Sequence, residues 1–167
     1  MKLEKLVIGL LILTALAGCG KSKPEKPVVL NAVPTVTNEM PALTMTQTDN
    51  SQVFFKDLKG KTLIVFFNPD CDHCQREAKL MAENKDLFEG YEVFFITAEH
   101  LPVVSKFQED YKLQAPNIHF GRAEGYDVIN AVGPINEVPT LFAYDNQRLK
   151  GRIEGEVGLD RLREFLK

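Results

Sequence analysis

The sequence predicts an α/β fold, a three-layer sandwich with a mixed central sheet covered on both faces. Three observations predict it. Thr62 to Phe67 and Tyr91 to Thr97 are continuous apolar runs rich in β-formers, the pattern of strands buried on both sides. Segments of helical period follow each run, so strands and helices alternate. Near the end, Thr140 to Tyr144 and Leu149 to Glu154 flank Asp145-Asn146-Gln147, which reads as a hairpin and adds antiparallel pairing.

The elements follow in chain order. Lys2 and Lys5 precede the apolar stretch Leu6 to Leu16, the charged-then-apolar order of a secretory signal. The stretch ends in Leu16-Ala17-Gly18-Cys19, which resembles a bacterial lipobox. That resemblance implies cleavage before Cys19 and lipid on Cys19. Two or more acyl chains hold stably, since each buried methylene contributes roughly 0.8 kcal/mol. Residues 1–18 are thus expected to be a signal peptide, and 19–40 a lipidated cysteine with a tether. The tether carries Pro24, Pro27 and Pro34 and shows no apolar period. The folded domain is expected over 41–167.

In that domain Ala42 to Gln47 and Gln52 to Phe55 read as an N-terminal hairpin around Thr48-Asp49-Asn50-Ser51. Asp57 to Lys61 is a turn into the strand Thr62 to Phe67. Asn68-Pro69-Asp70 breaks that strand, and a helix is expected from Cys71 to about Phe88 with Asp70 as its N-cap. After Tyr91 to Thr97, Pro102 starts a helix with Val103, Val104, Phe107 and Tyr111 at helical spacing. Asn117 to Phe120 is a short strand, Tyr126 to Val132 a short helix, and an amphipathic helix follows Gly158.

The 167 residues suffice for one domain with a core. Hydrophobic residues make up 44% and charged residues 26%, ordinary for a globular protein. A net charge of −3, with no Lys/Arg stripe, excludes an electrostatic footprint for nucleic acid. There are three cysteines. With Cys19 lipidated, Cys71 and Cys74 are left to pair with each other or with a partner. A bridge between them closes too small a loop to serve as a staple, so chemistry is the better explanation.

Cys71-Asp72-His73-Cys74 sits between a buried strand and the first turn of a helix. Free N–H groups and the helix dipole there stabilise a thiolate. Cys71 is expected at the solvent-facing tip as nucleophile, and Cys74, one turn in and partly buried, as resolving thiol. A structural zinc site needs four ligands, and there is no second C-x-x-C. Glu77 lies one turn after Cys74, where sequence alone makes it a solvated carboxylate.

In combination these residues resemble the thioredoxin superfamily, in particular the exported, membrane-tethered redoxins of the TlpA/ResA type. The resemblance runs from about Pro41 to Lys167. It rests on Pro41-Ala42-Leu43, Asp57-Leu58-Lys59-Gly60-Lys61, the strand Leu63 to Phe67, Cys71-Asp72-His73-Cys74, Val138-Pro139-Thr140, Tyr144-Asp145-Asn146 and Gly155. It implies a thioredoxin-like sandwich with an extra N-terminal hairpin and thiol–disulfide exchange without a cofactor beyond a redox-active Cys71–Cys74 disulfide. Pro139 is implied to be a cis-proline facing the dithiol, with the Val138 backbone pairing with substrate. Glu77 is implied to influence proton transfer, and His73 to bear on the state of Cys71.

The resemblance also implies exported protein substrates, a membrane electron donor, and the cell envelope as the location. It favours net reduction over oxidation or isomerisation. Four departures bear on potential and partner choice: Asp70 replaces a tryptophan, His73 a proline, Ala78-Lys79 a proline-bearing segment, and Val65 the buried acid of thioredoxin. His73 protonated favours the Cys71 thiolate, whereas Asp70 and Asp72 disfavour it, so composition leaves the sign open.

Two alternatives stand beside it. One is a copper-binding or copper-delivery module using Cys71, Cys74 and His119. The other is a peroxidase, weakened because Asn68-Pro69-Asp70-Cys71 lacks the usual Thr/Ser turn. Replacing Cys19 by Ser is expected to release the protein from membranes or leave it unprocessed. An unmodified Cys19 in the intact mass of the mature protein overturns the lipid assignment.

Overall fold

The structure is a computed structural model, and it describes residues 37–167. The signal peptide, Cys19 and nearly all of the tether expected from sequence lie outside the described residues. Seven strands form one sheet: β1 (Thr44–Gln47), β2 (Gln52–Phe54), β3 (Lys61–Phe66), β4 (Tyr91–Thr97), β5 (Ile118–Arg122), β6 (Thr140–Asp145) and β7 (Arg148–Glu154). Their order is β2-β1-β5-β4-β3-β6-β7. β3 pairs in parallel with β4 and antiparallel with β6, so the sheet is mixed and matches the thioredoxin-like expectation. The helices are α1 (Asp72–Glu83), α2 (Leu101–Asp110), α3 (Gly125–Val132) and α4 (Leu159–Phe165).

Strand periodicity divides the core into two layers. Leu63 and Val65 of β3, Val93 and Phe95 of β4, and Leu141 and Ala143 of β6 pack with Cys74, Ala78 and Met81 of α1, Val104 and Phe107 of α2, and Leu162 of α4. The alternate residues Ile64, Phe66, Phe94, Ile96, Phe142 and Tyr144 face the other way. They meet Val128 of α3 and the N-terminal residues Met40, Leu43 and Phe55. The continuous apolar runs arise because both faces of these strands are covered.

Three details correct the sequence reading. The helix expected to reach Phe88 stops at Glu83, and Lys85–Phe88 is a separate 3-10 turn. Asn84 makes the break: its side-chain amide donates to the Leu80 carbonyl at 2.8 Å, competing with the backbone for the helix end. The apolar period carries on through Leu87 and Phe88, which hid it. Asp70 is not the N-cap, because Cys71 holds that position with extended dihedrals. The Asp70 amide instead donates to Asn68 Oδ1 at 2.8 Å. The first strand begins at Thr44 rather than Ala42, while Phe55–Asp57 forms a 3-10 turn.

Residues ahead of the first strand are fastened to the sheet. The Glu39 amide donates to the Gln147 carbonyl at 2.7 Å, and the Leu149 amide to Glu39 Oε2 at 2.7 Å. Asn38 exchanges two hydrogen bonds with Lys56, each of 2.8 Å.

Candidate active site

The site lies where β3 ends. A tight turn carries the chain from Phe67 to α1: the Cys71 amide donates to the Asn68 carbonyl at 3.1 Å, and the Gln75 side chain to the Pro69 carbonyl at 2.8 Å. Cys71 occupies the N-cap of α1, where the unpaired amides of the first turn converge. β6 runs antiparallel to β3 with Phe66 opposite Thr140, so Val138 and Pro139 enter beside the same turn.

Both cysteines are free thiols. Cys71 is half-buried, and its Sγ donates to the Val138 carbonyl at 3.7 Å. Cys74 is buried to 2% exposure, deeper than the partial burial expected. Its sulfur accepts the Asn68 amide at 3.5 Å. Burial pushes the Cys74 thiol up to about 12, against the lowering effect of that amide, and the nearby Cys71 and Glu77 add to the rise. The Val138–Pro139 bond is cis, and Pro139 is buried.

Glu77 corrects the sequence reading most sharply. It is not a solvated carboxylate: it is 1% exposed. Its Oε2 accepts the Val157 amide at 2.8 Å, while Oε1 is buried without a hydrogen-bond partner among the described residues. Burial raises its pKa to about 7 despite the Val157 bond, and the Glu156 charge adds to the rise.

His73 does not turn to Cys71. Its Nδ1 lies 2.8 Å from Glu156 Oε2 and 2.8 Å from Arg76 Nη2. Nδ1 donates to the carboxylate when it carries a hydrogen and accepts from the guanidinium when it does not, so the tautomer of the ring decides its partner. Arg76 grips Glu156 through Nε at 2.9 Å and Nη2 at 2.7 Å. Arg76, and then His73, hold the Glu156 carboxyl down at about 2. Glu156 and Arg76 escaped the sequence reading because 80 residues separate them; no local pattern around Gly155-Glu156-Val157 signals the pairing.

The third copper ligand weighed above is not brought to the cysteines. His119 lies on β5 facing the other core layer, stacked on Phe94 at 4.7 Å and bonded to Glu92 at 2.7 Å. No group of three His, Cys, Asp or Glu able to hold a metal occurs among the described residues. Beside Val138 an apolar groove of about 280 Å³ opens between the ends of β3 and β4 and helix α3. Ile96, Val128, Ile129, Pro134 and Ile135 line it.

A family described as AhpC/TSA matches residues 36–146. The chain is 26% identical over 173 residues to the thiol-disulfide oxidoreductase ResA of Bacillus thuringiensis subsp. konkukian, covering 100% of this chain and 98% of that protein. It is 27% identical over 180 residues to ResA of Bacillus cereus, with the same coverage. Among solved structures, a secreted Mycobacterium tuberculosis disulfide oxidoreductase homologous to E. coli DsbE superposes with a TM-score of 0.63 at 16% identity, covering 75% of this chain and 94% of that one. StoA from Bacillus subtilis superposes with a TM-score of 0.59 at 17% identity, covering 77% and 99%. At these identities the structural likeness establishes the fold.

The burial of Glu77 has a stability consequence. Its pKa rises from 4.5 in the open chain to about 7 when folded, so the native state binds the proton more tightly. The stability that the buried Glu77 contributes is therefore full below pH 4.5 and is lost as pH rises to about 7, by about 3 kcal/mol at ~1.36 kcal/mol per pH unit. Glu77→Gln is expected to remove that fall. Urea midpoints of the two proteins should agree near pH 4 and diverge at pH 8, with the variant the more stable.

Proposed function

The chain belongs to the thioredoxin-like AhpC/TSA family and is a thiol–disulfide oxidoreductase, and from that premise we propose that it reduces disulfides of exported proteins through Cys71 and Cys74. The observation that carries this reading is the asymmetry of the pair. One thiol stands half-open at a helix N-cap, and the other is buried beneath it with its pKa held at about 12. A nucleophile needs access and a resolving thiol needs to stay unreactive until called upon.

The Cys71 thiolate attacks one sulfur of the substrate disulfide. A mixed disulfide forms, the substrate S–S bond breaks, and the departing thiolate takes up a proton. Cys74 then loses its proton and attacks Cys71 Sγ. The second substrate thiol is released and a Cys71–Cys74 disulfide remains, so two electrons have passed to the substrate. Glu77, one turn along α1 from Cys74, is the base for the proton that Cys74 surrenders, since a group of pKa about 7 serves near neutral pH. A membrane dithiol donor restores the pair.

Burial supports the reducing direction, because it denies Cys74 the thiolate stabilisation that would make the dithiol a weak electron donor. In this reading residues 1–18 direct export, lipid on Cys19 holds the protein at the cell envelope, and the 41–167 domain acts outside the cytoplasm. The groove beside Val138 suits an extended polypeptide with an apolar side chain near its cysteine.

The purified protein is expected to reduce insulin-type disulfides, with Cys71→Ser inactive and Cys74→Ala accumulating mixed disulfides on non-reducing gels. A Cys74→Ala variant that traps nothing beside an active Cys71→Ser overturns the assignment. The reduction potential is expected below about −230 mV, and a value above about −180 mV reverses the direction. Ile129 is half-exposed in the groove wall. Ile129→Asp is expected to raise KM about tenfold for a disulfide peptide with an apolar neighbour, with kcat retained. An unchanged KM removes the groove from substrate binding.

A further inference from the structure

Glu156 lies on the segment joining β7 to α4, against His73 of the Cys71–Cys74 turn. Its carboxylate receives the Arg76 guanidinium through Nε at 2.9 and 3.0 Å and through Nη2 at 2.7 Å, and it faces His73 Nδ1 at 2.8 Å. Arg76 and His73 both belong to the first two turns of α1. The next residue along the segment, Val157, is 1% exposed and donates its amide to Glu77 Oε2. Adjacent residues of one segment therefore hold adjacent residues of one helix. Glu156 holds Arg76 on the outside, and the Val157 amide holds Glu77 on the inside. A forked guanidinium–carboxylate pair fixes orientation as well as distance, so where Glu156 is held fixes where the Val157 amide points.

We propose that Glu156, gripped by Arg76 and His73, is a positioning residue that presents the Val157 amide to the buried Glu77 carboxylate and thereby sets how readily Glu77 holds a proton. The link to turnover rests on the role given to Glu77 under the proposed function; the link between the outer pair and Glu77 does not.

The groups acting on Glu77 can be named. Cys74 lies one turn away on α1, and the β7–α4 segment brings the Glu156 charge and the Val157 amide, with Arg76 and His73 behind Glu156. The amide favours the ionised carboxylate. The Glu156 charge opposes it, and Arg76 offsets that charge. Removing Arg76 frees the segment and uncovers the charge, so both effects drive Glu77 towards its protonated form. Glu156→Gln removes the charge yet leaves an oxygen for Arg76, so Glu77 moves towards its ionised form. Glu156→Ala removes charge and grip together, so its Glu77 should titrate higher than that of Glu156→Gln.

The test is the carbon-13 titration of the Glu77 carboxyl in the full-length dithiol protein in detergent, with the signal assigned by its loss in Glu77→Gln. The wild-type midpoint is expected at about 7. Arg76→Ala is expected to move it to roughly 8, and Arg76→Lys to restore part of the difference. Glu156→Gln is expected below wild type, with Glu156→Ala above Glu156→Gln. The proposal is overturned if Arg76→Ala stays within about 0.2 pH of wild type or if the two Glu156 variants coincide. The pH–rate profile for insulin reduction is recorded on the same proteins. Midpoints that move as stated over an unmoved rate profile uphold the positioning role and remove Glu77 from turnover.

Discussion

β3 is buried on both faces and paired on both edges, and the site follows from that constraint. A strand with no free edge and no free face has one register in which its apolar residues all find cover. Leu63 and Val65 commit one layer to α1, and Ile64 and Phe66 commit the other. Parallel pairing with β4 and antiparallel pairing with β6 then deliver three chain segments to the end where β3 stops. Cys71 emerges there on the way into α1, Val138 and Pro139 arrive there on the way into β6, and the groove opens between the end of β4 and α3. The dithiol needs no loop of its own to find its neighbours.

Two acids of opposite character flank the reactive helix. Glu156 is ionised at any physiological pH because a guanidinium and an imidazole face it. Glu77 is held near neutrality because burial withholds water from it and one amide compensates only in part. A carboxylate kept this dry destabilises the folded chain whenever it is charged. It sits on the face of α1 that also carries Cys74, a thiol that burial makes too weakly acidic to lose its proton readily.

Much of this was legible in the sequence. Continuous apolar runs disclosed β3 and β4, since only two-sided burial removes the usual alternation. The strand–turn–helix setting of Cys71 and Cys74 disclosed the asymmetry of the pair. What escaped depends on tertiary partners. Glu77 looked solvated because a lone carboxylate on a polar helix gives no sign that α4 and the segment before it will close over it. Its partner Val157 is 80 residues away and contributes only a backbone amide, which no side-chain pattern encodes. His73 stands two residues from Cys71 in sequence, yet its ring meets the distant Glu156 instead. Asn84 ended α1 by a side-chain bond that the apolar period ran straight across.

The attachment of Glu39 to Gln147 and Leu149 gives the domain a direction. The β6–β7 turn sits beside the start of β3, where the Asn146 amide meets the Gly60 carbonyl, and Cys71 lies past the other end. The six residues of β3 separate these ends by roughly 17 Å. The residues just ahead of β1 thus join the sheet at one end of β3, and the sulfurs stand at the other.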